Sequence, residues 1–464
     1  MKKPAVDSYD YILSVLDKAE TGPIVEERTW DKEYITKKTR ELIKKYDITF
    51  NKGIMISDDD ALADRLFEAS MEMALDSGVY CINTKRRMIW ERDELQGAID
   101  RAPSELKVGY GDGAHTIKRR DPEANGNVTI LGGAYGTPVR EENFRQMVTA
   151  YAKEPLVDIV ETPSLATAWG RHIRIDSPWE AIAAKREAEL VLEAIKLAGR
   201  PEGTCVASGG TSGTDIIELA ATSYDMFRQT DWHHSSFVAE NKVSYADLTR
   251  AVHYANTGSI SHTFCDPIYG GYLGGTDGVS IGCASGYILL RATLFGDTMN
   301  AGPAHTTVAA DTHPDLLPAQ ALAIQAISRN TPMFTSAHIR PSAGPCTKQV
   351  LYEVAALCMT AVSSGASFLK TIQTTTGRHM GHTTPVEVRF CAQVAHATEG
   401  MSRKDANEIV CKLVSKYEGK QLPQNVGKPF HEAYNLDTLE PTAEWQGIYE
   451  VVCEEFKKEF NMVL

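Results

Sequence analysis

The chain of 464 residues lacks the features that mark several protein classes. No apolar run approaches the roughly 20 residues that a membrane-spanning helix needs, and polar sequence follows Met1 where a secretory signal would be apolar. The nine cysteines form no Cys-x-x-Cys pair, which argues against a zinc ribbon and a disulfide framework. There are 48 basic and 61 acidic residues, and the net charge of −13 disfavours binding to a phosphate backbone. We therefore expect a cytoplasmic protein with no nucleic-acid partner and no membrane partner.

Glycine-rich turns are present, but they lack the context of a nucleotide-binding loop. The run from Ser208 to Thr211 could present backbone amides to an anion, yet no P-loop lysine follows it. The pairs Gly132-Gly133 and Gly270-Gly271 stand outside any Gly-x-Gly-x-x-Gly pattern. We interpret Ser208 and Thr211 either as caps of the next helix or as ligand contacts, and nucleotide binding is not expected.

A helix followed by a buried strand gives the clearest local signal. Ser177 can cap a helix that starts with Pro178, Glu180 completes a capping box, and Gly199 ends the run. The segment 204–207 is therefore predicted to be a buried strand that ends in a glycine-rich loop.

Short β-rich runs alternate with helical patterns over residues 126–400, which is typical of a parallel sheet covered by helices. A βα region of roughly 250 residues suits an eight-stranded (β/α) barrel better than an open sheet, although only some of the strands are evident. Residues 1–125 are interpreted as a helical N-terminal flank and residues 401–464 as a C-terminal helical extension. The predicted strands are 128–131, 156–160, 204–207, 259–264, 332–339 and 367–373, and the predicted helices are 178–198, 245–255, 280–294, 314–328, 348–362 and 385–397.

Three sequence blocks carry a resemblance to a known family. They are Thr-Ile-Leu-Gly-Gly-Ala-Tyr-Gly-Thr-Pro at 129–138, Pro-Ile-Tyr-Gly-Gly-Tyr-Leu-Gly-Gly at 267–275 and Ala-Gly-Pro-Cys-Thr at 343–347. With these blocks the chain resembles the corrinoid-dependent monomethylamine methyltransferases, which pass a methyl group from methylamine to a corrinoid protein. The resemblance covers nearly the whole chain. It implies a (β/α)8 TIM-type barrel, a methyltransferase of one-carbon metabolism or methanogenesis, a partner protein that carries a cobalamin-type corrinoid, and a homo-oligomer.

The residues that mark the amine site of this family are replaced in the chain. The family's pyrrolysine position falls at Ala207, or at Val206 if a gap is placed differently, and neither side chain can form a covalent adduct with an amine. The family's glutamate falls at Phe264, and its glutamine and tyrosine fall at His338 and Arg340. The resemblance therefore implies a homologue without pyrrolysine that keeps the scaffold and the methyl acceptor and uses another methyl donor.

A quaternary amine is the donor that suits these replacements. Its nitrogen is already cationic, so cobalt(I) can displace a methyl group in line and release a neutral amine. Phe264 is predicted to face the cation, since aromatic faces stabilise cations without hydrogen bonds, and Ala207 is predicted to leave space for the substrate. Arg340 is predicted to hold a carboxylate, as in a betaine, and His338 to orient it or to protonate a leaving group. Three further rings are predicted as walls of the site: Tyr269, Tyr272 and Trp169.

Each of these residues also has a structural interpretation. Phe264 and the three further rings can be core residues, and Arg340 can pair with a barrel carboxylate such as Asp266. His338 can be a satisfied strand-end histidine, and Cys346 is interpreted as structural because nothing marks its thiol as activated.

Other classes of function stay open at this point. Corrinoid methyltransferases that act on methanol or thiols use zinc, so a zinc site is one alternative. The loop with His379 and His382 at i, i+3 could bind a metal, or it could contact the substrate or the corrinoid partner. A corrinoid-independent lyase with Arg340 and His338 as clamp and acid, and a non-catalytic ligand-binding barrel, are the further alternatives. The ligand types of a zinc site elsewhere in the chain are His262, Cys265, Asp266, Cys283, His305 and His338.

Overall fold

Eight parallel strands form a nearly closed barrel in the computed structural model, which describes residues 9–126, 128–207, 214–223 and 226–464. Neighbouring strands follow each other in chain order, and the last strand pairs with the first. The predicted (β/α)8 barrel is thereby confirmed. The strands are β1 (Thr129–Gly133), β2 (Ile159–Glu161), β3 (Val206–Ala207), β4 (Trp232–Ser236), β5 (Ile260–Cys265), β6 (Thr298–Ala301), β7 (Ser336–Ile339) and β8 (Phe368–Ile372).

Side-chain hydrogen bonds bridge the barrel between β6 and β7, where no backbone ladder is recorded for the described strands. The Ser336 hydroxyl donates to the Met299 carbonyl and lies within 3.0 Å of Asn300 Oδ1 as well. Strands β4 and β6 were absent from the predicted set, because their sequences Trp-His-His-Ser-Ser and Thr-Met-Asn-Ala are too polar to read as buried strands.

Helices follow the strands and cover the outside of the barrel. Six of them agree with the predicted helices within a few residues, whereas Glu141–Lys153 and Asp215–Ala221 were not predicted. The N-cap of Ser177 is confirmed, because its hydroxyl accepts from the Trp179 amide. The predicted capping box is wrong: Glu180 Oε2 accepts from the Asp176 amide at 2.9 Å and the Thr214 hydroxyl at 2.7 Å. The barrel helices are Glu141–Lys153, Pro178–Leu197, Asp215–Ala221, Tyr245–Thr257, Thr276–Leu294, Leu317–Asn330, Lys348–Ser363 and Pro385–Thr398.

The N-terminal segment packs its apolar side chains against the barrel helices 276–294 and 317–330. The sequence had suggested a helical segment. The structure differs, because the segment also contains a strand pair and a hairpin. Its elements are the helices Tyr9–Thr21, Glu27–Thr29, Trp30–Lys37 (a π-helix), Lys38–Tyr46, Asp60–Ser77, Arg92–Asp100 and Gly111–Gly113 (3-10), and the strands Val79–Cys81, Arg86–Met88, Glu105–Val108 and His115–Lys118.

The hairpin 105–118 closes the amino end of the barrel. Its side chains Leu106 and Ile117 share an apolar cluster with Trp232 and Phe368 of the barrel interior. The Gly109 amide also donates to the carbonyl of Thr230, just before β4. A ligand must therefore enter from the carboxyl end, where (β/α) barrels place their reactive groups.

The C-terminal segment packs on the barrel helices 348–363 and 385–398. None of the described helices is long and apolar enough to cross a membrane. The C-terminal helices are Arg403–Tyr417, Phe430–Ala433 and Ala443–Phe460, a 3-10 helix spans Thr374–Gly377, and short strands outside the barrel are Pro138–Val139, Ser164–Leu165, Thr167–Ala168, Arg171–His172, Lys242–Val243, Ile268–Tyr269, Ala304–His305, Tyr434–Asn435 and Glu440–Pro441.

Replacing Gly133 with alanine is expected to lower the free energy of unfolding by about 3 kcal/mol, because the added methyl group overpacks the contact between β1 and β2. A Cβ at this position would lie 2.0 Å from the Glu161 carbonyl oxygen. Chemical denaturation measures the change. As a control, Gly447→Ala places a methyl group in open space on helix 443–460, where we expect a gain of about 0.5–1 kcal/mol from helix propensity. Equal stabilities of wild type and Gly133→Ala would contradict the close approach.

Candidate active site

The inner wall of the barrel has an apolar lower layer and a polar upper layer. In the lower layer the Trp232 ring contacts the rings of Phe368 and His262 with centroids 5.0 and 4.9 Å apart. Charged and polar side chains follow toward the carboxyl ends of the strands, and all of them are buried. The aromatic side chain of Phe264 lies among them and is half-buried. The upper layer comprises Glu161, His234, His262, Phe264, Asn300, His338 and Lys370.

Lys370 of β8 places an ammonium group among these side chains. Its Nζ lies 3.9 Å from the ring centroid of Tyr135 and 4.7 Å from that of Phe264, so the cation sits over two aromatic faces. Within the described residues Nζ has no hydrogen-bond partner, although Glu161 Oε1 lies 3.6 Å away. Burial lowers the pKa of Lys370 to about 8, against the opposing effect of the nearby carboxylates Glu161 and Asp266. The ammonium is thus a buried charge with donors to spare.

Glu161 of β2 supplies the negative charge nearest to this ammonium. The side chain is fully buried, and its Oε2 accepts from the Thr371 amide at 3.3 Å. His234 Nε2 lies 3.4 Å from Oε1 of the same carboxylate. Burial and the charge of Lys370 lower the pKa of His234 although Glu161 opposes this, so the imidazole is neutral near pH 7. The upper layer therefore contains one cation and one anion at its centre.

Tyr135 and Phe264 form an aromatic pair at the wall of a small cavity. Their rings meet edge to face with centroids 5.9 Å apart, and Tyr135 stacks on His234 at 4.7 Å. The cavity has a volume of about 240 Å³, which is below the usual range for drug-sized ligands and suits a small donor molecule. It is lined by Tyr135, His234, Ser235, Ser236, Val238, Ser244, Ala246, Asp247, Arg250 and Phe264.

His262 and His338 are buried imidazoles, and in each ring one nitrogen has no hydrogen-bond partner among the described residues. Burial and the charge of Lys370 lower the pKa of His262 well below its usual range, and burial with Arg340 and Lys370 does the same for His338. His338 Nε2 and His262 Nε2 have no hydrogen-bond partner in the described part of the chain, and the same holds for Asn300 Nδ2. Orphaned polar atoms are uncommon in protein interiors, so their convergence here indicates a ligand site.

Arg340 is engaged by the protein itself. Its Nε donates to Asp311 at 3.1 Å, and NH1 lies 3.0 Å from Asp266 Oδ1. The NH2 group donates to the carbonyls of Gly302 at 2.7 Å and Pro303 at 3.0 Å. Burial raises the pKa of Asp311 to about 7 despite the neighbouring guanidinium. All three nitrogens are thus occupied, and the arrangement matches the structural interpretation of Arg340; a carboxylate clamp would first have to displace these partners.

The other predicted site residues are spread over the barrel and its loops. His338 and Phe264 both contact the Tyr135 ring, so the structure brings these two together. Ala207 is fully buried in the lower apolar layer, at the end of β3. Ser208 and Thr211 lie outside the described residues.

The three further predicted rings lie on loops, and no ring contact with Phe264 is recorded for them in the described residues. Tyr269 stacks on His305 at 4.9 Å and donates to Asp315 at 3.1 Å. Tyr272 and Trp169 are 48% and 55% exposed. Their role as walls of the site stays a prediction, and Tyr135 is the ring that the structure places beside Phe264.

The candidate zinc ligands do not gather into one group in the described residues. The only three side chains there with ligand atoms within 4.8 Å of one another are His305, His313 and Asp315. His305 Nδ1, however, accepts from the amides of Thr307 and Val308 at 3.1 and 3.4 Å, which leaves Nε2 protonated in the neutral ring. In the glycine-flanked loop, the His379 and His382 centroids lie 5.4 Å apart, and His382 Nδ1 donates to the carbonyl of Val426. All nine cysteines are free thiols.

Sequence reasoning missed Lys370, Glu161, His234 and Tyr135. A usable signal existed for the first two, because each places a charge inside or directly after an apolar strand: Ser-Phe-Leu-Lys-Thr-Ile at β8 and Ile-Val-Glu at β2. Charged residues are rarely fully buried unless they are paired, so two of opposite charge on buried strands predict an interior pair. Tyr135 belongs to the glycine-rich block after β1 and carried no comparable signal.

A polar site at the carboxyl ends of the strands, above a closed apolar floor, is the arrangement of (β/α)8-barrel enzymes. The comparisons with known proteins define the group more narrowly. The family model described as monomethylamine methyltransferase MtmB matches residues 10–460, and the chain belongs to this family.

Relatives and solved structures agree with this assignment. The chain is 30% identical over 448 residues to the monomethylamine methyltransferase MtmB1 of Methanosarcina barkeri, covering 97% of this chain and 96% of the relative. The same values relate it to MtmB of Methanosarcina mazei. The crystal structure of Methanosarcina barkeri MtmB superposes with a TM-score of 0.94 at 30% identity over 98% of each chain, as does that of the hydroxylamine MtmB complex. The likeness thus extends over nearly the full length.

Proposed function

We propose that the protein transfers a methyl group from a quaternary amine to cobalt(I) of a corrinoid carried by a separate protein, without the use of pyrrolysine. Family membership supports the methyl transfer, since the relatives are named monomethylamine methyltransferases. The observation that carries the donor class is the position of the Lys370 ammonium over Tyr135 and Phe264, because it marks these two rings as a cation-binding surface.

The chemistry asks little of acid or base groups. The methyl group leaves a quaternary nitrogen while the bonding electron pair stays on that nitrogen, so the leaving group is a neutral amine and needs no proton. Tyr135 and Phe264 hold the cationic head, and their rigid rings fix the direction of the methyl group for in-line displacement. Cobalt(I) supplies the nucleophile. The acceptor must approach from the carboxyl end, because the hairpin 105–118 covers the amino end of the barrel.

The test is methylation of cob(I)alamin by the purified protein, followed by absorbance under anaerobic reducing conditions. The donors are tetramethylammonium, N,N,N-trimethylglycine, the three simple methylamines, methanol and methanethiol. We expect turnover with quaternary amines alone. Turnover confined to the simple methylamines contradicts the donor class, and chelator-sensitive turnover with methanol or the thiol favours the zinc-dependent alternative. Ligand binding without turnover, with the cognate corrinoid protein also supplied, favours a non-catalytic barrel.

We further propose that the protein works in the cytoplasm as a homo-oligomer together with a cognate corrinoid protein. Family membership supports this proposal. Light scattering of the purified protein measures its mass against the 51.0 kDa of one chain. A mass of one chain at all concentrations would contradict the oligomer.

A further inference from the structure

The aromatic pair already carries a cation of the protein. Lys370 lies over both rings, and Glu161 is the carboxylate nearest to its Nζ, at 3.6 Å. His234, His262 and His338 surround the same space, and their lowered pKa values leave them neutral near pH 7. Farther from Lys370, Asp266 and Asp311 pair with Arg340, and on the cavity wall Asp247 pairs with Arg250, beside which lies the buried Glu218. The Lys370 ammonium is thus balanced by Glu161 before a donor binds.

A donor that carries a positive charge and no negative charge would add an uncompensated cation to this site. A quaternary head on the same rings would lie a few ångströms from the Lys370 ammonium in a buried setting, where repulsion between like charges is strong. A zwitterion carries its own anion, which can lie between the two cations and weaken the repulsion between them. The charge of the site thus favours a zwitterionic donor over a simple alkylammonium.

Lys370 has the capacity to bind that anion, whereas Arg340 and the cavity-lining Arg250, which pairs with Asp247, do not. The nitrogens of Arg340 are taken by Asp266, Asp311 and two carbonyls. Lys370 Nζ carries three donors, and its only recorded charge contact in the described residues is the ion pair with Glu161.

We propose that Lys370 binds the anionic group of a zwitterionic quaternary amine whose cationic head lies on Tyr135 and Phe264, and that this contact selects zwitterions against bare cations. The proposal rests on the proposed methyl transfer from a quaternary amine and names the class of donor. Lys370 acts here as a specificity-determining residue that touches the substrate.

The test compares Lys370→Met with wild type on two donors, N,N,N-trimethylglycine and tetramethylammonium. For the zwitterion we expect kcat/KM to fall by about 100-fold or more, because a buried charge-assisted contact is lost. For the bare cation we expect kcat/KM to stay equal or to rise, so the preference inverts. A parallel fall for both donors would overturn the selection by charge. Lys370→Arg keeps the charge and is expected to keep the preference.

Lys242→Met is the matched control. Lys242 is also a buried lysine, its side chain pairs with Glu27 and Asp31 on the N-terminal segment, and it is not among the residues that line the cavity. We expect this variant to keep the donor preference. Calorimetry of the two donors without any corrinoid separates the two proposals. Zwitterion binding that depends on Lys370 but leads to no methyl transfer supports the selection by Lys370 and contradicts the proposed reaction. Methyl transfer that does not depend on Lys370 supports the reaction and contradicts the selection.

The pH dependence of wild-type binding tests the same contact without any substitution. The ammonium of Lys370 is lost as pH rises through about 8, because burial lowers its pKa. The affinity for N,N,N-trimethylglycine is therefore expected to fall about tenfold per pH unit above this value, while the affinity for tetramethylammonium rises. A preference that stays constant from pH 7 to 10 would contradict the assignment to Lys370.

Discussion

Arg340→Met is expected to lower the free energy of unfolding by about 3–5 kcal/mol, the usual cost of removing one partner of a buried ion pair. The substitution leaves Asp311, which is fully buried, without its guanidinium partner, and it frees the carbonyls of Gly302 and Pro303. Asp266 suffers less, because 36% of its side chain is exposed and water can replace the lost contact. Urea denaturation at pH 8 measures the change, since Asp311 of the wild type is then mostly ionised, and the variant must either bury an unpaired carboxylate or protonate it.

The double variant Arg340→Met/Asp311→Asn is the control for this prediction. An asparagine leaves no charge behind, so the double variant is expected to recover about half of the lost stability, and the single variant Asp311→Asn should lose less than Arg340→Met. If Arg340 instead held a carboxylate, as the sequence analysis predicts, Arg340→Met would raise the Michaelis constant for a carboxylated donor. A large rise in that constant with an unfolding free energy within 1 kcal/mol of wild type would restore Arg340 to the substrate site.

The fold could be predicted from the sequence wherever apolar periodicity and helix caps agree. Helix 178–197 and helix 403–417 follow directly from such patterns. Strands β4 and β6 could not be found in this way, because their mostly polar sequences lack the apolar run of a buried strand. Only six of the eight strands were predicted from these patterns. The prediction of a closed barrel therefore depended on the family resemblance as much as on the patterns.

The site was harder to predict, because it depends on which side chains meet across the barrel. Phe264 and His338 stand on β5 and β7, and sequence alone could place both at the carboxyl end of the barrel but could not show that Tyr135 joins them. The partners of Arg340 come from the residues just after β5 and β6 and from the segment before helix 317–330, so these contacts depend on the tertiary structure. Lys370 lies in a predicted strand, and its position over the rings of Tyr135 and Phe264 could not be predicted from the sequence.

Removal of the aromatic pair should cause a large loss of activity. In Tyr135→Leu/Phe264→Leu we expect kcat/KM for N,N,N-trimethylglycine to fall by about 100-fold, because a desolvated cation gains about 1–2 kcal/mol from each ring. Because the expected loss comes from the interaction between the rings and the cationic head, a neutral analogue serves as the control ligand. This ligand is 3,3-dimethylbutanoate, which keeps the carboxylate and replaces the charged head by a neutral group of the same shape. Its affinity, measured by calorimetry, should fall less than fivefold in the double variant.

Phe390→Leu separates this effect from a general loss of packing. Phe390 is fully buried and contacts the rings of Tyr449 and Phe456, on the outer side of the barrel. We expect this variant to lose stability by about 1 kcal/mol and to keep its kcat/KM for the donor. If the double leucine variant weakened binding of the neutral and the cationic ligand to the same degree, the rings would contribute shape alone, and a cation-binding surface could no longer carry the choice of a quaternary amine as donor.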